Sequence, residues 1–208
     1  MVANKTTLKS VFLENRVLLL KITIHLMSLL PLVALYLLAF DDQLGADPVK
    51  EVIHFTGMGG FNLLLLSLLI MPLAKKYRQA YLLQVRRLLG LYSFTYAVCH
   101  LLSFLAFEVQ FDLTLFFNEI IDRPYITVGV GAFIILLSLA FTSLNSLKRS
   151  MGKSWQKLHN WVYLAVLLIA LHYFWSVKSG LFDPGMYAVI TVFLLSLRRE
   201  KFKRWFKK

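Results

Sequence analysis

The chain has 208 residues, 58% of them hydrophobic, with a net charge of +12 and a mean hydropathy of +0.66. Several apolar runs of about 20 residues, each long enough for a hydrocarbon core of roughly 30 Å, exclude a soluble domain and indicate one integral membrane domain. Glycine and proline are too sparse for linkers or low complexity, and no internal repeat is visible.

Six spans are predicted in chain order, over residues 16–40, 52–73, 88–109, 124–147, 155–177 and 184–197. Counted by alternate sides, one side holds 20 of the 23 Lys and Arg but only 2 of the 11 acids. The other side holds Asp41, Asp42, Asp47, Glu51, Glu108, Asp112, Glu119, Asp122 and Asp183, with Lys50, Arg123 and Lys178 as its only bases. Basic loops stay in the cytoplasm, so both termini are expected there. The expected fold is an all-α integral membrane protein, a bundle of six transmembrane helices. Residues 1–15 form a cytoplasmic amino terminus, 16–197 the six-helix domain, and 198–208 a basic amphipathic cytoplasmic tail.

The positive charge does not indicate nucleic acid, because no segment supplies a folded soluble surface with stacking or groove-reading elements. The tail RREKFKRWFKK instead suits anionic membrane lipid, with Phe202, Trp205 and Phe206 dipping among the headgroups. Lys5, Lys9 and Arg16 ahead of the first span mimic a signal peptide. That apolar run is too long, however, and Phe40-Asp41-Asp42 offers no cleavage site, so a retained anchor is expected.

Within the first span, His25 lies in the cytoplasmic half and Pro31 removes a backbone donor. His25 is either a hydrogen-bonded histidine between helices or part of a quinone or second cofactor site. His54 follows the first outer loop at the rim of the second span, with Gly57, Gly59 and Gly60 close behind permitting close helix or cofactor approach. Between spans two and three, Lys75, Lys76, Arg78, Arg86 and Arg87 form a basic loop. Topology accounts for most of them. Arg86 and Arg87, at the mouth of the third span, are also placed to pair with a haem propionate or a cofactor phosphate.

His100 falls about twelve residues into the third span, and His172 lies five residues before the outer end of the fifth. Two histidines at matched depth on different helices meet the requirement of a bis-imidazole haem, one ring for each face of the iron. Cys99 is the single cysteine, and no C-x-x-C-H occurs, so such a haem is non-covalent, of b type. His159 precedes His172 by thirteen residues, roughly 20 Å along a helix and about 140° around it. The two therefore serve different sites or lie on a bent helix. Gly129 and Gly131 read as helix contacts. Gly152-Lys153-Ser154 mimics the end of a phosphate loop, but Leu147 stands where its glycine belongs. Neither H-E-x-x-H nor G-x-S-x-G occurs, and acids suited to a proton-driven carrier are missing from the spans.

The run Gly152-Lys153, Trp155, Leu158-His159-Asn160, Tyr163, His172-Tyr173 and Trp175-Ser176-Val177-Lys178 resembles the MsrQ family of ferric reductase-like transmembrane proteins. The loop LGADPVK, the stretch HFTG, the block from Arg86 to Leu91 and Arg123-Pro124-Tyr125 agree with it, and the likeness extends from about His25 to Leu197. The resemblance implies b-type haem, one or two per chain, and flavin mononucleotide (FMN). It implies a multi-pass protein of the bacterial inner membrane that passes electrons from the quinone pool to a periplasmic molybdenum-cofactor methionine sulfoxide reductase, MsrP. The chain would then be an electron-transfer subunit, with no catalytic residue of its own.

Related NADPH oxidases carry two histidines on each of the third and fifth helices, whereas Arg87 and Arg86 stand thirteen and fourteen residues before His100 here. A second haem beside His159 would lack its usual partner. His159 pairs with His25, ligates a haem alone, or serves the flavin or quinol. The sequence ends eleven residues past the last predicted span, so electrons are expected from a quinol or from a separate cytosolic flavin reductase. The alternative class is a small transporter or proton channel whose histidines relay protons. It predicts a colourless protein, and electron transfer predicts a Soret band.

Overall fold

The computed structural model describes residues 3–177 and 180–199, with side chains from residue 15 onward. Lys178 and most of the basic tail lie outside the described residues. Every regular element among them is helical. The chain divides into two units, residues 1–93 and 94–208.

In the first unit, α1 (Ala3–Phe40) buries Val17, Ser28, Leu32 and Leu35, a narrow stripe at helical spacing. Leu18, Leu19, Ile22, Leu26, Met27, Leu30, Val33 and Leu37 are exposed, as a helix bounded by lipid tails requires. The helix runs straight through the expected boundary at residue 15, and Pro31 sits within it. α2 (Pro48–Lys76) starts where Asp47 accepts a hydrogen bond from the Lys50 amide at 3.1 Å and Pro48 needs no amide partner. Glu51 in its first turn and Lys75 and Lys76 in its last complement the helix dipole. Its buried face includes Val52, Thr56, Gly60, Phe61, Leu64 and Leu68. Ser93 of α3 (Arg86–Ser103) donates its hydroxyl to the Gly60 carbonyl at 2.8 Å, the close approach that a glycine permits.

α3 does not stop cleanly. A π-helical turn, Phe104–Glu108, continues it, with the Val109 amide donating to the Phe104 carbonyl at 3.2 Å. Gln110 and Phe111 then take left-handed φ values of 48° and 60°. In the second unit, α4 (Leu113–Asp122) is a short amphipathic helix capped by Asp112, whose Oδ1 accepts from the Thr114 and Leu115 amides at 2.8 and 3.1 Å. Arg123 pairs with Glu119 at 2.9 Å, and Pro124 opens α5 (Pro124–Phe141).

α5 ends six residues short of the expected 147. The Thr142 and Ser143 hydroxyls fold back on the Ser138 and Leu139 carbonyls at 2.6 and 2.8 Å, and the Trp155 indole caps the Thr142 carbonyl at 2.9 Å. Two short helices, α6 (Asn145–Met151) and α7 (Lys153–His159), turn at Gly152, whose φ of +50° and ψ of −120° suit only glycine. A break at Asn160-Trp161 separates α7 from α8 (Val162–Ser176), so the fifth predicted span is interrupted. α8 packs chiefly on α5 and on α9 (Phe182–Ser196), through Val162, Ala165, Val166 and Ala170. Arg198 is buried over Tyr163, donating to its hydroxyl at 3.3 Å.

Five helical stretches, Asn15–Phe40, Pro48–Lys76, Ala80–Glu108, Pro124–Phe141 and Lys153–Ser176, are long and apolar enough to cross a membrane. The sixth predicted span coincides with α9, whose 15 residues reach about 22 Å.

Replacing Asp112 by alanine leaves two α4 amides uncapped, at a cost of about 1 kcal/mol. Amide hydrogen exchange at Thr114 and Leu115 should quicken roughly fivefold. Asp112→Asn should preserve the protection.

Candidate functional site

In the 94–208 unit two imidazoles face one another. His100 sits three residues before the end of α3, and His172 four residues before the end of α8. Their ring centroids are 6.1 Å apart, their planes make an angle of 88°, and both are half-buried. A metal–imidazole bond of about 2.0 Å, added to about 1.1 Å from nitrogen to ring centre, puts the ring centres of two imidazoles on opposite sides of one ion about 6.2 Å apart. The observed centroid separation of 6.1 Å is close to that value. Among the described residues no group of three or more His, Cys, Asp or Glu forms a metal site. A metal held here must bring its remaining ligands with it, as a porphyrin-bound iron does.

His172 is anchored across the α5–α8 seam. Its Nδ1 lies 2.7 Å from the backbone carbonyl of Tyr125, in the first turn of α5. A carbonyl only accepts, so Nδ1 carries the proton and Nε2 keeps its lone pair. Donation of the second ring N–H to a backbone carbonyl orients a ligating histidine and raises its basicity.

His159 is engaged in the opposite sense. At the end of α7 it stacks on Trp155, with ring centroids 3.9 Å apart, and its Nε2 is 3.1 Å from the Thr142 hydroxyl oxygen. That hydroxyl gives its proton to the Ser138 carbonyl, so it receives the Nε2–H of His159. Lys148 lies 4.9 Å over the Trp155 ring and closes the cluster.

Residues 56–170 match the family of the ferric reductase like transmembrane component, over half of the chain. A relative from Klebsiella pneumoniae, named protein-methionine-sulfoxide reductase heme-binding subunit MsrQ, is 43% identical over 189 residues, covering 90% of this chain and 95% of that protein. Its namesake from Pectobacterium atrosepticum is 44% identical over the same length, with the same two shares. The chain belongs to the MsrQ family of ferric reductase-like transmembrane proteins. Membership and the five long apolar helices make it a multi-pass membrane protein.

The other sequence candidates of this MsrQ family member occupy separate places. His25, in the first unit, is exposed on α1, with Nδ1 2.5 Å from the hydroxyl of the buried Tyr92 and the two rings edge to face. This is the interhelical hydrogen bond expected as one of its two readings. His54 is exposed on α2. Arg86 is half-buried and Arg87 exposed, both in the first turn of α3, where the helix dipole favours anions over cations. His100 and His172 are thus brought together as their matched depth predicts. The Tyr125 carbonyl, Tyr92 and Thr142 are partners that spacing alone does not reveal.

Thr142→Val removes the acceptor of the half-buried His159 Nε2–H, a cost of about 1 kcal/mol. The purified variant should melt several degrees below its parent in detergent, and Thr142→Ser should restore the parent's value.

Proposed function

We propose that the chain is a b-type haem electron-transfer subunit, with His100 and His172 as the axial ligands. It would carry electrons from the respiratory quinone pool across the inner membrane to a periplasmic MsrP-type molybdenum-cofactor methionine sulfoxide reductase, on which terminal catalysis takes place. The facing pair at 6.1 Å carries this reading. The names of the two relatives, each a heme-binding subunit, support it.

Bound haem would supply a one-electron carrier within the apolar interior. The protein's own part is to hold two imidazoles on opposing helices and to keep the His172 proton on Nδ1, leaving Nε2 for iron. His159 has its Nε2–H committed to Thr142, so we assign it to the α5–α7 junction and propose one haem. Six spans with both termini cytoplasmic accord with the charge asymmetry, α9 being the short sixth.

For the donor side we propose that a quinol reaches His25, whose hydrogen-bonded partner Tyr92 steadies a ring exposed on the outside of α1. Quinol oxidation releases protons, and an imidazole ring is a chemically suited acceptor for one. FMN follows from the resemblance, and Arg86 and Arg87 are the groups we propose for its phosphate. A cytosolic flavin reductase is the second donor to test. His54 and the acidic outer loops are left to the periplasmic partner.

The test is a reduced-minus-oxidised visible spectrum with haem quantified per chain. The parent should show a low-spin b-type spectrum, His100→Ala and His172→Ala should lose most of the haem, and His159→Ala should retain it. Near-perpendicular ligand planes further predict a highly anisotropic low-spin EPR signal with one dominant g value. A colourless parent from haem-supplied cells would remove the reading and favour a transporter.

A further inference from the structure

We propose that Gly129 is a positioning residue for His172: its missing side chain opens the Tyr125 carbonyl to the imidazole. The consequence for iron ligation rests on the haem reading above, whereas the contact itself does not.

In an α-helix each Cα–Cβ bond leans toward the amino terminus, so the side chain at position i+4 covers the carbonyl at position i. Gly129 is the i+4 residue of Tyr125 in α5. Any other residue there would screen the oxygen that His172 uses. The geometry is tight: a Cβ added at Gly129 would stand 2.8 Å from Nδ1, 2.9 Å from Cε1 and 3.3 Å from Cγ of the His172 ring. Non-bonded atoms prefer about 3.5–4.0 Å. The ring cannot yield as the end of a flexible chain would, because it is short, planar and held at Nδ1 by the 2.7 Å bond.

General helix packing does not account for this glycine. Gly131, two residues on, also belongs to α5, and a Cβ there would meet only Leu168 Cδ1 at 3.9 Å, an ordinary contact. Of the two, only Gly129 abuts a titratable ring. Glycine is the poorest helix former after proline, so its presence in the apolar interior of α5 calls for a local reason. The close approach of His172 is that reason. A backbone carbonyl also cannot be altered by substitution, so the glycine that exposes it is a position from which the acceptor's side of the bond can be controlled.

Loss of the Nδ1–H bond should lower the basicity of the imidazole and weaken its hold on ferric iron, raising the midpoint potential.

The experiment compares full-length parent, Gly129→Ala and Gly131→Ala, purified in detergent from haem-supplied cells. Haem per chain, visible spectrum and midpoint potential are measured. The same three proteins, made without haem and labelled with nitrogen-15 in the histidine rings, report the His172 tautomer by NMR, with His172→Ala identifying the signal. Gly129→Ala should lose haem severalfold or keep it at a raised potential, and His172 should leave the Nδ1–H form. Gly131→Ala should match the parent throughout. A Gly129→Ala protein that matches the parent, or a parent whose His172 is in the Nε2–H form, overturns the proposal. If Gly129→Ala does not accumulate, the parent's tautomer decides. If the parent has the Nδ1–H form while His172→Ala keeps full haem, the ligand assignment fails and the Gly129 contact stands.

Discussion

A polar group carried into hydrocarbon finds no water, and it must be satisfied by the protein. The side chains of the apolar segments follow that constraint closely. Thr56 and Ser67 return their hydroxyl protons to carbonyls of their own helix, at 2.7 and 2.8 Å. Ser93 crosses to Gly60, His25 meets Tyr92, His159 meets Thr142 and His172 meets Tyr125. Each of these bonds fixes an orientation as well as removing a cost. Thr191 is the exception among the described residues, its hydroxyl oxygen buried without a partner, and nothing in the structure explains it.

For the histidines the same constraint selects a chemistry. An imidazole has two nitrogens, and whichever one is committed determines what the other can do. A backbone carbonyl at Nδ1 leaves His172 with an acceptor nitrogen. A hydroxyl oxygen that has already given away its proton takes the Nε2–H of His159. Two histidines on one interrupted segment thereby commit opposite ring nitrogens, His172 to a carbonyl of α5 and His159 to the residue just after it.

Much of this is legible in the residue pattern. Apolar runs of spanning length mark the helices, and the matched depth of His100 and His172 pairs them. What stays hidden depends on contacts remote in sequence or on the backbone. Tyr125 acts through its carbonyl, 47 residues from His172, and no side-chain type signals it. The end of α5 at Phe141 depends on an indole thirteen residues later as well as on local hydroxyls. The break at Asn160-Trp161 falls where the polar stretch KSWQKLHN gives way to the apolar VYLAVLLIAL, with neither proline nor glycine to mark it. Gly129 is visible as a glycine, but its meaning comes from the ring that occupies the vacated space.

The π-helical turn at Phe104–Glu108 has an evolutionary consequence. Such a turn takes up one more residue than an α-helical turn and changes the direction in which the following chain emerges. It lies after His100, so a residue gained or lost there leaves the histidine in register with the helix before it. The chain that follows can therefore change in length without moving the ring.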